Sequence, residues 1–360
     1  MKAPAKSPTF RQLAQWADTS IATVSLALRN HPSLPLKTRR RIQRLAVKKG
    51  YRYDPLVARL MTQLRTTRVK RTTEALAFLT TWPTRKDERI YMSEGTHHTN
   101  YLAGIRERAH RLGYELDEFW NKEPGLTSSR LSKILQARGI RGIIIPPMIR
   151  SRGHVSLDWQ YFSAVAISYT IVKPDTHRVS HSHYNGMQLA LRRLKQRGYR
   201  RPGFATLMDQ NDRVNLSWLG SYLAHQFTLP ASAKIPPLLS DGRDPARGLE
   251  RKEFQHWVEK YRPDVVISNM ASPLTLLQEM GHKIPEEIGY ASLDRNAVRA
   301  TLSSDLSGVD QQDFQQGVAA VNMVVEQIQN NVLGLPAVPV TLHINGIWHD
   351  GTTVRSHYSP

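Results

Sequence analysis

The chain contains no cysteine, which excludes a disulfide framework and any thiolate metal site. It has no long apolar run either. Its apolar runs, such as Ile143-Ile144-Ile145, are strand-sized and far short of the roughly 20 apolar residues of a membrane-spanning helix. No membrane partner is expected. The opening residues, MKAPAKSPTF, carry positive charge but lead into no apolar stretch, so no secretory signal is read there. Catalytic signatures are missing as well: there is no G-x-G-x-x-G, Walker loop, H-E-x-x-H or G-x-S-x-G. His97-His98 and the His181/His183 pair have no carboxylates at ligand spacing and read as solvated loops. These absences predict a cytoplasmic protein that is not an enzyme and holds neither metal nor cofactor.

Acidic residues are also scarce, but only at the front. Residues 1–71 hold 17 Lys/Arg against two acids, Asp18 and Asp54, a net +15. The other 289 residues hold 33 basic and 28 acidic side chains, a net +5. The charge excess is therefore local, and a local cationic segment favours a polyanion, because each phosphate neutralised releases counterions.

Patterning separates a folded module from a basic tail. Phe10, Leu13, Ala14 and Ala17 recur at three and four residues, as a short amphipathic helix requires. Thr19-Ser20 supplies a break and an N-cap for a second helix, Ile21 to Leu28, with Val24, Ala27 and Leu28 available to face inward. His31-Pro32-Ser33-Leu34-Pro35 ends that helix. A third runs from about Leu36 to Lys49, with Ile42, Leu45 and Ala46 on one face and Gly50 as its stop. Two short helices joined by a tight turn and closed by a third form a helix-turn-helix unit, which reads DNA with its second helix in the major groove.

The stretch Thr9 to Asn30, TFRQLAQWADTSIATVSLALRN, resembles the headpiece of the lac-repressor (LacI/GalR) family, whose second helix reads S-x-A-T-V-S-x-x-L-N. The likeness continues through Thr38-Arg39 and Gly50 to Pro55. It implies base-reading roles for Ile21, Ala22 and Leu26, and phosphate-facing roles for Ser20, Thr23, Ser25 and Arg29. All three base readers are apolar here, where many relatives place an arginine at the position of Leu26. Thymine-methyl contact discriminates less than a bidentate hydrogen bond, so specificity is expected to lean on DNA shape and on the hinge. Two departures are Asp18, where the family has glycine, and Pro35, where it often has a capping serine.

Residues 54–68, DPLVARLMTQLRTTR, begin with a helix entrance and repeat Leu56, Leu60 and Leu64 every four residues. About ten residues rarely hold a helix alone in water, so ordering on DNA is expected. The resemblance implies paired hinge helices in the minor groove, with Leu60 as the wedge.

Beyond Glu74, strand-like and helix-like segments alternate. Strands are read at 75–79, 114–119, 142–145, 164–169, 203–207, 264–268 and 288–293. Helices are read at 101–112, 128–138, 186–197 and 314–330. Such alternation predicts two α/β lobes with parallel sheets. Ligands of open α/β sheets bind beyond the carboxyl ends of strands, which nominates Trp82, Pro146–Met148, Asp209–Trp218, Asn269 and Asp294. This half is also similar to the family's effector domain and to periplasmic sugar-binding proteins, in GIRGIIIP (139–146), 186–202, 284–289 and 306–311. The likeness assigns the ligand-gripping aspartate to Asp294, the arginine to Arg213 and a stacking role to Trp218. It fails at Ser182-His183, where the family has Asp before Asn.

The expected organisation is a small all-α headpiece (1–53), a hinge and linker (54–71), a two-lobed periplasmic-binding-protein-like domain (72–350) and a tail (351–360). Lobe 1 is placed at about 72–175 and 304–333, lobe 2 at about 176–303 and 334–350. What the resemblance implies is a dimeric repressor that binds a palindromic double-stranded operator and senses a carbohydrate between its lobes. A cytoplasmic small-molecule-binding module without specific DNA recognition is the alternative.

Overall fold

The computed structural model describes residues 8–51, 74–81, 97–148, 151–241, 248–299, 302 and 305–356. They form two compact units, one holding the N-terminal helices together with 325–333, the other holding the α/β elements. Leu60 in the hinge and Trp82 lie outside the described residues.

The N-terminal unit contains α1 (Phe10–Trp16), α2 (Ile21–Leu28) and α3 (Leu36–Lys48). Thr9 caps α1 in a reciprocal box with Gln12, and Ser20 caps α2 by accepting from the Thr23 amide. Between them Asp18 takes a left-handed backbone (φ 49°), the conformation for which the family's glycine is suited and which Asp tolerates. Pro35 starts α3 without a side-chain cap. Leu13, Ala14, Ala17, Val24, Ala27, Ile42 and Ala46 make the core, with Phe10, Leu28, Leu34, Leu45 and Tyr51 packed around it. Helix-length apolar contact alone does not close so small a core. Gln43 and Arg41 donate to the Ala27 and Ala17 carbonyls at the ends of α2 and α1, satisfying acceptors that helix termini leave open.

The second unit holds two six-stranded sheets. One has the order β13-β7-β5-β3-β1-β2, with β1 Glu74–Thr80, β2 Tyr114–Trp120, β3 Gly142–Ile145, β5 Ser163–Ile167, β7 His177–His181 and β13 Thr341–Ile344. The other has the order β14-β12-β11-β10-β8-β9, with β8 Pro202–Leu207, β9 Leu238–Ser240, β10 Val265–Ser268, β11 Gly289–Ser292, β12 Gly308–Asp310 and β14 Ile347–His349. A short pair, β4 Gly153–His154 and β6 Ile171–Lys173, stands apart. Pairing is parallel along β1-β3-β5-β7-β13 and along β9-β8-β10-β11-β12, and β14 runs antiparallel to its neighbour β12.

Parallel sheets are buried on both faces, and the residue alternation shows how. Phe204 and Ile267 pack with Met187, Leu194, Trp218 and Tyr222 of helices His183–Gln196 and Ser217–Phe227. Their neighbours Ala205, Leu207 and Val266 point the other way, onto Phe254, Trp257 and Leu277 of helices Arg251–Tyr261 and Ser272–Glu279. In the first lobe Ala77, Leu79, Ile143, Ile145, Ala164 and Ala166 meet Leu131 and Leu135 of helix Ser128–Ala137.

The chain crosses between lobes three times: from β7 into helix His183–Gln196, from β12 into helix Asp313–Gln329, and from β13 into β14. The strand memberships differ from the lobe limits read in the sequence. β7 lies in the first sheet although 176 was placed in lobe 2, and β12 lies in the second although 304–333 was given to lobe 1. β13 returns to the first sheet, inside the stretch 334–350 that was given to lobe 2. Each crossover falls immediately after a strand, and three- to five-residue strands carry too little pattern to reveal which sheet they join.

Candidate DNA-reading helix and interlobe site

On α2 the burial splits the residues cleanly. Val24 and Ala27 are buried in the headpiece core, while Ile21 is 49% exposed and Ala22 is exposed beside it. Leu26 is half-buried and takes no part in that core. An isoleucine and an alanine facing water at the start of a capped helix gain nothing for folding; they form an apolar edge suited to thymine methyls. Ser20 is exposed, and its hydroxyl also hydrogen-bonds the Thr23 hydroxyl at 2.9 Å. The Arg29 guanidinium folds back, its Nε and Nη2 donating to the Ser25 carbonyl and hydroxyl at 3.0 Å each. Arg29 and Ser25 are thus coupled, and a phosphate contact by either would draw on both.

All three crossovers leave from the carboxyl ends of strands, so they join the carboxyl edges of the two sheets, the edges at which open α/β sheets bind ligands. Asp294 follows β11, Asn269 follows β10 and Arg213 follows β8, which brings the three to that edge. Asp294 is only 7% exposed; its Oδ1 accepts from the Ala297 amide and so caps helix Arg295–Arg299. Asn269 is held by the Thr206 hydroxyl, which donates to its Oδ1 at 2.6 Å. Burial lowers the Arg213 pKa, offset by the Asp209 carboxylate and by Tyr101, yet an arginine stays charged through such a shift.

Two further residues complete the polar centre. Tyr101, in helix His97–Arg111 of the first lobe, is 4% exposed, and its phenol hydrogen-bonds Asp313, which is 1% exposed. Burial raises the Tyr101 pKa well above its usual value; the fields of Asp313 and Asp294 and the Asp313 hydrogen bond add to this, and Arg213 opposes it. The phenol therefore remains a donor among carboxylates. Gln311 donates to the Leu293 carbonyl at 2.9 Å, and Gln316 donates to the Gln311 carbonyl at 2.9 Å, fixing the second crossover beside Asp294.

Asp294, Asn269 and Arg213 thus converge on the cleft edge. Trp218 does not stand out there: it is 3% exposed in the apolar cluster of the second lobe, its ring edge-on to His183 at 5.2 Å. His183 and His181 are themselves buried at the first crossover, not in a solvated loop as their sequence suggested. Tyr101 and Asp313 were missed, because a tyrosine in an amphipathic helix reads as core and an aspartate at a helix start reads as a dipole partner. Among the described residues no group of three or more His, Cys, Asp or Glu is placed to hold a metal ion, and no described helix is long and apolar enough to cross a membrane.

The chain thus has a three-helix N-terminal unit and, later in the sequence, two α/β lobes linked by three crossovers. No family profile matches the sequence, and no curated protein matches it. Solved structures do. The transcriptional regulator CelR–cellobiose complex is 15% identical with a TM-score of 0.55, covering 96% of this chain and 99% of that one. The lac repressor dimer bound to operator and the anti-inducer ONPF is 16% identical with a TM-score of 0.53, covering 98% of this chain and 100% of that one. A LacI-family regulator from Rhizobium etli is 16% identical with a TM-score of 0.56, covering 79% of this chain and all of that one. The chain has the fold of LacI-type transcriptional regulators.

Proposed function

We propose that the chain is a sequence-specific transcriptional repressor that acts in the cytoplasm as a dimer on a palindromic operator. Ile21, Ala22 and Leu26 read bases, Ser20, Thr23, Ser25 and Arg29 meet phosphates, and Leu60 of the hinge wedges the central step. A small molecule bound between the lobes changes operator affinity by shifting the lobes, and with them the spacing of the two hinges. Carbohydrate is the effector class put forward, because one neighbour of this fold was solved with cellobiose and because carboxylate, amide and guanidinium groups together suit hydroxyls. Asp294, Asn269 and Arg213 are its receptors, with Trp82 in an apolar role. No catalytic role is assigned to any residue.

The supporting observation is the outward apolar edge of α2 on a helix whose opposite face is core. Selection of bound fragments from random DNA by the purified chain tests the reading. The expected product is an inverted repeat of roughly 14–20 base pairs with a flexible central step. Selection that is blind to sequence, or that yields no symmetry, rejects it in favour of a sensor without a specific DNA target.

A further inference from the structure

Helix α3 is LKTRRRIQRLAVK: six of its 13 residues are Lys or Arg, and none belongs to the α2 set that meets bases and phosphates. The structure divides them into two groups. Arg39 donates through Nη1 to the carbonyl and to Oδ1 of Asn30, both at 2.9 Å, and Arg41 donates through Nη2 to the Ala17 carbonyl at 3.0 Å. Together with Gln43, which donates to the Ala27 carbonyl at 2.8 Å, they fasten α3 to the C-terminal ends of α1 and α2. These three side chains position the helices. Lys37, Arg40, Arg44 and Lys48 are all exposed instead. At about 100° per residue they fall within an arc of about 80°, on the side opposite Ile42 and Ala46, which are buried in the headpiece core. Arg41 and Gln43 flank that arc and turn to α1 and α2, so the stripe between them faces away from both helices, and away from the edge formed by Ile21 and Ala22. The stripe does nothing for the fold: Arg40 and Arg44, and Arg44 and Lys48, are like charges at i,i+4 spacing, which destabilise a helix. It extends over roughly 16 Å of helix, enough to lie along several phosphates of a strand that rises about 3.4 Å per nucleotide.

We propose that Lys37, Arg40, Arg44 and Lys48 form a second DNA surface, which grips the phosphates of a duplex without regard to sequence and is separate from the reading edge of α2. This rests on the reading of the headpiece as a DNA-binding module. Charge complementarity selects the occupant: residues 1–71 carry a net +15, and a duplex rewards each neutralised phosphate with counterion release. The surface holds the chain on non-operator DNA, and α2 supplies the choice among sequences.

Titration of the full-length chain with a random-sequence duplex over a range of salt, read by fluorescence anisotropy, tests this. The Arg40→Gln/Arg44→Gln double variant should make the plot of log K against log salt shallower by about 1.8, the release expected for two phosphates, and weaken binding at about 0.1 M salt by about tenfold or more. Arg40→Lys/Arg44→Lys keeps the charge and should restore the original slope. Arg39→Gln/Arg41→Gln removes the same net charge from the positioning group and should change the slope by less than half as much. Equal changes from the two glutamine pairs would overturn the surface, because the charge would then act diffusely, as in a loose polyelectrolyte. An unchanged slope in Arg40→Gln/Arg44→Gln would overturn it too, and would turn the stripe toward an acidic protein partner. In the selection from random DNA, Arg40→Gln/Arg44→Gln should return the consensus of the unaltered chain; an altered consensus would place the stripe inside the reading site and end its independence. Should the unaltered chain select no consensus, the operator reading falls while the salt slopes still decide the surface.

Discussion

The headpiece and the sensor lobes handle polar and apolar groups in opposite ways. The headpiece has a core of seven small or medium side chains and displays apolar Ile21 and Ala22 to solvent. The lobes hide polar groups instead, with Tyr101, Asn269, Asp294 and Asp313 all buried along one edge. On the proposed function, a surface that meets a flat, charged polymer shows its reading groups and leaves folding to few residues. On the same proposal, a site that encloses a small molecule conceals its reading groups, and needs a large apolar frame to hold them. The contrast predicts that the headpiece fails through its core and the sensor through its joints.

Leu13→Ala should break the comparison most severely. The side chain is 1% exposed at the centre of the headpiece, and truncation there costs about 2–5 kcal/mol. Calorimetry of the full chain should show the sensor transition unmoved while operator binding is lost. Gly104→Ala is the matching lesion in the sensor. The added methyl meets the Phe314 backbone, and overpacking of this kind costs about 1–3 kcal/mol. The sensor melt should fall, and the headpiece's helical signal should persist.

Ser20→Ala is a finer cut. It removes the cap that the Thr23 amide uses, at about 1 kcal/mol, and should weaken operator binding several-fold, as read by fluorescence anisotropy at fixed salt. The smallest effect concerns His225, whose pKa is lowered by burial first and by Lys195 second. Its neutral form is favoured in the fold, so its stabilisation is present above the unfolded value of about 6.5 and fades as pH falls through that value toward the lower folded one. His225→Gln should flatten the decline in sensor stability between about pH 7 and about pH 5, measured by thermal melts across that range.

The headpiece was legible because its determinants are local. Caps at Thr9 and Ser20, the turn at Asp18 and the three-to-four spacing of Leu13, Ala14, Val24 and Ala27 all lie within a few residues of what they control. The buried strands, such as β3 and β8, announced themselves as short apolar runs, and helices such as Ser128–Ala137 by their period. Helices Ser217–Phe227, Arg251–Tyr261 and Ser272–Glu279 were passed over, the first being apolar on more than one face. β7, β12 and β13 were misassigned to lobes because sheet membership is a long-range property. Asp294, Asn269 and Arg213 were nominated by the rule that strand ends carry ligands. Tyr101 and Asp313 come from helix starts more than 200 positions apart in the chain, and only their convergence distinguishes them from core and cap.

If the outward edge of α2 reads bases, Leu26→Arg changes what that edge reads. With the variant carried through the same selection from random DNA at the same salt, the palindrome should keep its length and spacing. It should gain guanine at one symmetric pair of positions, where arginine bonds O6 and N7. An unchanged consensus, or tighter binding to every sequence alike, would contradict it.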